Sequence, residues 1–546
     1  MPALSNPRPF RSRHALVGVV LAAGAGVALS ACASNASAPA CWNCVEPERP
    51  AANDGATASE ADAAARSPGD AAEGGARDGG TEATGPTSTD DGSAALGVNP
   101  VLLQGFYWDV PFENGAEPWW NVLAAKAEEF ASMGLDAVWI PPPYKGKGAF
   151  DVGYGVYDRY DLGEFDQRGT TRTRYGTLAQ LETLVSKLHA NGVGVHADIV
   201  MNHALASDGM ESLPFDGGTL RVPTRFDFPG RGTTYSSFAW NSTRFNGCNT
   251  SSGWVSWSTW DFAPYAGGDA WDNLLGCEIR YSDVAVQDEM VAWGKWITSK
   301  LQLDGYRLDA TKHMLTSFVN RWLDEVRGNR FAVSEAWFGN IDNMRAYAKA
   351  TGRRTRLFDV PLHYAFTAMS QGNGTYDMRG LAGVGLANMD PSLAVTFVDN
   401  HDTDAPSGAL RSPVENFKDH AYAYILTREG TVPMLYYRDL YEYGHQDAVK
   451  ALLTLRSEHA FGAGHESAAS DANTYVYVRD GDAAHSGLLL VLSDGPKTTK
   501  RIATPWKNKR LVDGTANHTA VVLTDGSGMA EVPVEARSYA VWTPSL

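Results

Sequence analysis

The chain has 546 residues, more than one small core needs, and its length allows two to four domains. Its formal net charge is −17. So acidic a chain lacks the basic footprint of a nucleic-acid binder, and no nucleic-acid partner is expected.

Residues 1–32 carry Arg8, Arg11 and Arg13 and no acid, followed by an apolar run from Ala15 to Leu29. The run ends in Leu29-Ser30-Ala31-Cys32 and is short and Gly-rich for a membrane span. This reads as an export signal of the lipoprotein type, with Cys32 lipidated after cleavage. The expected location is outside the cytoplasm, lipid-anchored to a membrane or cell surface or released. Residues 33–97 hold eleven acidic and three basic residues, few bulky apolar ones and no period. Such a segment cannot bury enough surface to offset its ordering, so a disordered acidic linker is expected. Cys41 and Cys44 lie inside it without the folded context that a redox or zinc motif needs; a local disulfide or nothing is expected there. Cys248 and Cys277 are the remaining cysteines, and in an oxidising compartment they can pair.

From Val101 the texture is globular. Strands are predicted at Val101–Trp108, Leu135–Ile140, Val193–Val200, Gly305–Asp309, Phe331–Ala336, Leu357–Val360, Ala394–Val398 and Val432–Tyr437. Helices fill several of the gaps. Trp120–Met133 is one; Leu178, Leu181, Val185 and Leu188 mark another, stopped by Asn191-Gly192. Val286, Met290, Trp293, Ile297 and Leu301 make a further apolar stripe. Eight strands in this rhythm predict a closed (β/α)8 barrel over residues 98–202 and 282–445. Residues 203–281, rich in Trp, Gly, Ser and Thr, read as an irregular insertion, a B domain after the third strand. After a bridging helix at Ala448–Glu458, alternating strands at Thr474–Val478, Leu488–Leu492, Ala520–Leu523 and Ser538–Trp542 predict an antiparallel β-sandwich over 446–546.

The chemistry concentrates in Gly305-Tyr306-Arg307-Leu308-Asp309-Ala310-Thr311-Lys312-His313. Arg307 and Asp309 are two apart on a strand and share a face. In a barrel, reactive groups sit at the C-terminal strand ends. Three further polar clusters fall there: Asp198 to His203 after the third strand, Glu335 in Val333-Ser334-Glu335-Ala336-Trp337, and Asn400-His401-Asp402 after the seventh. One strand-end acid is more often structural, but four clusters on one rim are hard to explain as caps. Two close carboxyls suit retaining glycoside hydrolysis, with a separation of about 5–5.5 Å. Asp309 is then the nucleophile, held ionised by Arg307. Glu335 is the acid/base, its pKa raised by apolar surroundings. Asp402 would bind sugar hydroxyls and stabilise the oxocarbenium-like transition state. His203 and His401 would donate hydrogen bonds to the same sugar, and Tyr154 would stack on its ring.

At these motifs the chain resembles the alpha-amylase family, glycoside hydrolase family 13, and within it the liquefying bacterial enzymes. The resemblance runs from about Leu102 onward. It rests on Asp151-Val152-Gly153-Tyr154-Gly155, Asp161-Leu162-Gly163-Glu164-Phe165, Phe228-Pro229-Gly230-Arg231-Gly232, Phe358-Asp359-Val360-Pro361-Leu362-His363-Tyr364 and Phe397-Val398-Asp399-Asn400-His401-Asp402. It implies a (β/α)8 barrel, a B domain, a C-terminal β-domain and endo-hydrolysis of alpha-1,4-glucans with retention. Asp309, Glu335 and Asp402 match the family's triad, and Lys312 and His313 match residues on the leaving-group side. A monomer is expected. The resemblance also implies a structural calcium bound by Asn202, Asp272, Glu278 and the backbone carbonyl of His313. Glu278 stands where the liquefying enzymes usually carry Asp. A further calcium near His465, Glu466 and Asp494 is a weaker implication. Second-metal positions fall on Asn246, Asp261, Arg280 and Ser282, where the fixed charge of Arg280 opposes a cation and predicts an ion pair with Asp261 or a neighbouring acid. A transglycosylating or maltooligosaccharide-forming enzyme, or a non-catalytic surface glucan-binding lipoprotein, are the competing readings.

Overall fold

The computed structural model describes residue 96 and residues 98–112, 115–250, 253–258, 274–405 and 408–545. The expected signal, nearly all of the linker, and Asp261 and Asp272 lie outside the described residues. No described helix is long and apolar enough to cross a membrane.

Eight parallel strands close into a barrel: β1 (Leu102–Gln104), β2 (Ala137–Ile140), β3 (Gly194–Ile199), β4 (Gly305–Leu308), β5 (Phe331–Ser334), β6 (Arg356–Phe358), β7 (Ala394–Phe397) and β8 (Val432–Tyr436). Each pairs with its neighbours in chain order, and β1 closes on β8. All eight predicted strands are present, most a residue or more shorter at one end or both. They are legible because a parallel sheet covered on both faces needs near-continuous apolar runs. The helices that cover it are set by local chemistry. Thr177 and Gln180 form a reciprocal capping box at the start of Leu178–Ala190. Asp283 caps the helix Val284–Leu301 through Ala285 N, and that helix buries Val286, Met290, Trp293, Ile297 and Leu301, the predicted stripe. The predicted helix Trp120–Met133 is broken in two, Trp119–Ala125 and Ala127–Ser132.

The segment between β3 and the helix Val284–Leu301 is more regular than its composition predicts. It holds a long hairpin, Gly209–Phe215 with Gly218–Arg225, and a four-stranded antiparallel sheet that includes Phe245–Thr250 and Cys277–Ile279. Cys248 and Cys277 are directly opposed on those last two strands and are joined as a disulfide. The hairpin escapes sequence reading because its inward face is only half-buried and mixes Glu211 and Thr224 with Leu213, Leu220 and Val222, which blurs the period-two signal.

After the helix Gln446–His459 comes a six-stranded antiparallel sheet and a two-stranded one. Val476, Leu489 and Val491 from the first, and Ile502, Val532 and Val534 from the second, enclose a separate core with Trp542. Four strands here have no counterpart in the sequence reading: Gly464–Glu466, Thr498–Ala503, Arg510–Asp513 and Met529–Val534. They carry Lys, Arg, Glu and Pro on their open faces, which hides them.

Candidate active site

Barrel register builds the site. Arg307 on β4 lies level with Asp198 on β3 and Val333 on β5. The backbone continues past the strands: Asp309 N bonds Ile199 O (3.0 Å) and Glu335 N bonds Leu308 O (2.8 Å). Ala310 then takes a left-handed φ of 50°, unfavourable for a residue with a Cβ, and turns the chain into the short 3-10 turn Thr311–His313. The strain persists because Ala310 N donates to Glu335 Oε2 (2.9 Å) and Thr311 N to Glu335 O (3.0 Å). One kink thereby fixes Asp309 and Glu335 together.

Arg307, with 2% of its side chain exposed, reaches three carboxylates at once. Nη1 lies 2.8 Å from Asp198 Oδ1 and 2.6 Å from Asp309 Oδ1, and Nη2 lies 3.0 Å from Glu335 Oε2. Asp309 and Glu335 thus sit on the two amino nitrogens of one guanidinium. Two carboxyls held by one guanidinium suit the close spacing of about 5–5.5 Å that marks retention better than the about 6.5–9.5 Å of inverting sites.

The electrostatics differ from the sequence expectation in one respect. Arg307 does not hold Asp309 low. Its single charge is divided among three acids, and burial outweighs it: Asp198 and Asp309 are each pushed up to about 6. Burial also raises Glu335, as predicted for the proton donor, and lifts Asp402 well above the usual carboxylate range. Four buried carboxyls cannot all ionise around one guanidinium.

A pocket opens over these groups. Tyr154, His203, Asp309, Lys312, His313, Glu335, His401 and Asp402 all line it, so eight of the sequence-derived candidates meet in one cavity. Arg307 lies beneath it. Lys312 Nζ donates to Trp337 O (2.9 Å). Tyr154 stacks on His401 (centroids 5.4 Å, interplanar 8°) and donates to Asp198 Oδ2 (2.7 Å). His401 Nε2 meets the Tyr154 hydroxyl at 2.9 Å and Nδ1 meets Gln104 Nε2 at 2.8 Å. Both His401 nitrogens are thus engaged within the protein, and burial keeps the ring neutral. His203 is likewise neutral, lowered by burial to about 4. Its Nε2 donates to Tyr154 O (2.8 Å), which leaves Nδ1 buried as an acceptor with no protein partner among the described residues. The expectation that both histidines donate to a sugar is therefore revised: His203 offers an acceptor.

Sequence reading did not single out Trp108, Trp337, Leu274 or Leu410 as pocket walls, although all four line it. Trp108 follows β1 in Gly105-Phe106-Tyr107-Trp108 and packs at 5.1 Å on His401; an aromatic at a first-strand end was the available signal. Gln104 and Asp198 act one layer below.

Two of the implied calcium ligands come together. Asn202 and Glu278 are both buried, Asn202 Nδ2 donates to Glu278 Oε2 (3.4 Å), and Asn202 Oδ1 has no hydrogen-bond partner among the described residues. An orphaned amide oxygen beside a buried carboxylate fits a hard cation. His313 sits in the adjoining turn, and Asp272 is outside the described residues. No cluster of three His, Cys, Asp or Glu side chains able to hold a metal occurs among the described residues. The further site at His465, Glu466 and Asp494 does not assemble: His465 pairs with Asp480 (2.7 Å), and Glu466 with Arg428 (2.5 Å) and Tyr475 (2.8 Å). Arg280 lies 3.7 Å from Asp283, the neighbouring acid.

Comparison with known proteins agrees with this geometry. The profile described as the catalytic domain of alpha amylase matches residues 123–485. The alpha-amylase of Bacillus licheniformis is 37% identical over 489 residues, covering 82% of this chain and 94% of that protein. The glucan 1,4-alpha-maltohexaosidase of Bacillus sp. (strain 707) is 36% identical, covering 82% of this chain and 92% of that protein. Among solved structures, the alpha-amylase of Geobacillus thermoleovorans complexed with acarbose superposes with a TM-score of 0.58 at 17% identity, over 82% of this chain and 98% of that one, a likeness of fold.

Proposed function

The chain belongs to the alpha-amylase family and is a glycoside hydrolase acting on alpha-glucans, and from that premise we propose an endo-acting, retaining cleavage of internal alpha-1,4 bonds by Asp309, Glu335 and Asp402. The observation that carries it is the Asp309–Glu335 pair clamped by Arg307 at the pocket floor. Asp309 attacks the anomeric carbon while Glu335 gives its proton to the departing glycosidic oxygen. Glu335 then takes a proton from water, which attacks the same carbon and releases Asp309. Asp402, lifted by desolvation above the usual carboxylate range, faces the pocket, where it is placed to hydrogen-bond sugar hydroxyls. Tyr154 and Trp108 form an apolar wall, and Lys312 and His313 border the leaving-group side.

Glu335→Gln tests the assignment. Starch hydrolysis should fall by about 10²–10⁴-fold, while aryl glycosides with good leaving groups lose much less in the first step. Equal loss on both removes Glu335 from the acid role. A maltooligosaccharide-forming specificity is favoured only by the maltohexaosidase relative; time-resolved product analysis separates it from random endo-cleavage. We also propose one calcium at Asn202, Asp272, Glu278 and the backbone carbonyl of His313, holding the insertion to the barrel; a chelator should then lower the melting temperature. Export with lipid at Cys32 completes the reading, and Cys32→Ala should move the protein from the detergent to the aqueous phase.

A further inference from the structure

The barrel closes where its first strand meets its last. β1 is three residues long, and Leu102, Leu103 and Gln104 pair with Met434, Leu435 and Tyr436 of β8. Every other neighbouring pair of barrel strands is consecutive in the chain; this seam joins its two ends. Beyond the ladder, two loops are held over the pocket on this side. The loop after β1 supplies Trp108, and the loop after β7 supplies Asp402, Ala409 and Leu410.

One side chain reaches both loops. Arg438 stands in the short helix Tyr437–Tyr441 that follows β8, and it is buried. Its Nη1 lies 2.9 Å from Asp109 Oδ1 and 2.9 Å from Asp404 Oδ2, and its Nη2 lies 3.0 Å from Asp109 Oδ2. Asp109 directly follows Trp108, and Asp404 is two residues past Asp402. The guanidinium packs over the Tyr107 ring at 4.7 Å, and Nε is 3.5 Å from Glu442, which also accepts from the Tyr107 hydroxyl.

Asp404 passes this restraint to the pocket. The Tyr443 hydroxyl donates to its Oδ1 (3.0 Å) and the Tyr436 hydroxyl to its Oδ2 (3.2 Å), so both oxygens are engaged. Asp404 N donates to Asn400 O (3.1 Å), Gly408 N to Asp404 O (2.8 Å) and Leu410 N to Asp402 O (2.7 Å). A Cβ on Gly408 would come within 2.4 Å of both Asp404 O and Asp402 O, so the loop is folded tightly on itself. A displacement of Asp404 is therefore felt at Asp402. The two arms of Arg438 differ in burial: the Asp404 side chain is 3% exposed and that of Asp109 is 51% exposed. A half-exposed ion pair adds only about 0–1 kcal/mol to a fold. What its paired N–H···O contacts do supply is direction, fixing the loop after β1 against the loop after β7.

We propose that Arg438 is a positioning residue for the hydrolytic reaction: by bridging Asp109 and Asp404 it sets Trp108 and Asp402 at a fixed spacing across the pocket. The inference rests on the role given to Asp402 above, and its test separates the two. Arg438→Met keeps the stem and removes the fork. Per folded molecule, its kcat on maltoheptaose should fall by about 10–100-fold with KM within about threefold, because a displaced Asp402 is missed in the transition state rather than on binding. Arg438→Lys restores the charge but not the fork, and should recover the melting temperature more fully than kcat. In an Asp402→Asn background the effect of Arg438→Met on kcat should shrink to below about threefold. If Arg438→Met does not fold, Asp109→Asn, on the half-exposed arm, should lower kcat by about threefold with the melting temperature within about 2 °C of the parent. An unchanged kcat in Arg438→Met, full recovery of kcat by Lys, or an undiminished effect in the Asp402→Asn background overturns the positioning role while leaving Asp402 in place. An unchanged kcat in Asp402→Asn alone removes Asp402 from the reaction and overturns both.

Discussion

Asp399 and Asp402 stand three residues apart at the end of β7, the first buried and the second half-buried, both raised by desolvation, and they do opposite things. Every oxygen of Asp399 is used inside the protein. Lys418 Nζ lies 2.9 Å from Oδ2, Val414 N donates to Oδ2 (3.1 Å), and Thr403 Oγ1 donates to Oδ1 (2.9 Å). Lys418 is shared with Asp439 (2.5 Å), which also accepts from Tyr422 (2.5 Å). This cluster is closed: one ammonium, two acids, no opening to the pocket. Asp402 belongs to the other kind. Its cluster sets one guanidinium against four carboxyls, and it faces the cavity. A buried charge cluster that is satisfied serves the fold; one left short of counter-charge at a pocket serves chemistry.

The largest test of that contrast is Asp309→Asn. Starch turnover should fall by at least about 10⁴-fold. The protein should at the same time become more stable at pH 7. An unfolded Asp titrates near 3.8 and the folded one near 6, so the ionised form is disfavoured by folding and the neutral amide removes that cost. A rise in melting temperature of about 2–4 °C is expected; a fall would place Asp309 with the closed cluster. Lys418→Met should do the reverse. It strands two buried carboxylates, costs about 3–5 kcal/mol in denaturant titration, and leaves kcat per folded molecule within severalfold. Loss of turnover without loss of stability would break the distinction.

Asp399→Asn is milder. Its carboxyl, like that of Asp309, is pushed up to about 6, so the amide removes an ionisation cost at pH 7 that offsets the lost acceptor, and the net change should stay within about 1 kcal/mol with activity retained in the folded fraction. The smallest test uses pH alone. Below about pH 6 activity should fall about tenfold per unit as Asp309 takes up its proton. Over the same window the contribution of Asp309, Asp198 and Asp399 to stability should increase, because the folded chain binds those protons more tightly than the unfolded one. Activity and melting temperature measured together from pH 7 to 4 check the opposed slopes; parallel decline would mean that inactivation is unfolding.

Much of this was readable in the chain. Apolar runs locate the barrel strands, because a strand buried on both faces has no freedom to be polar. Arg307 and Asp309 share a face by their spacing alone, and Glu335 and Asp402 follow from their places at strand ends. The family motifs supply the triad a second time. The hairpin Gly209–Arg225 and the sandwich strands Thr498–Ala503 and Met529–Val534 were not legible, since Glu, Pro, Lys and Arg interrupt their short alternation and their pairing is fixed by segments distant in the chain. Nor was the charge state of the site. Asp198 lies 109 residues before Arg307, and only the barrel register makes it compete for that guanidinium. The sequence determines which groups are present and which local faces they occupy. How one positive charge is divided among three acids, and which of two neighbouring aspartates opens to the pocket, depends on distances between segments far apart in the chain, and those exist only once the barrel has closed.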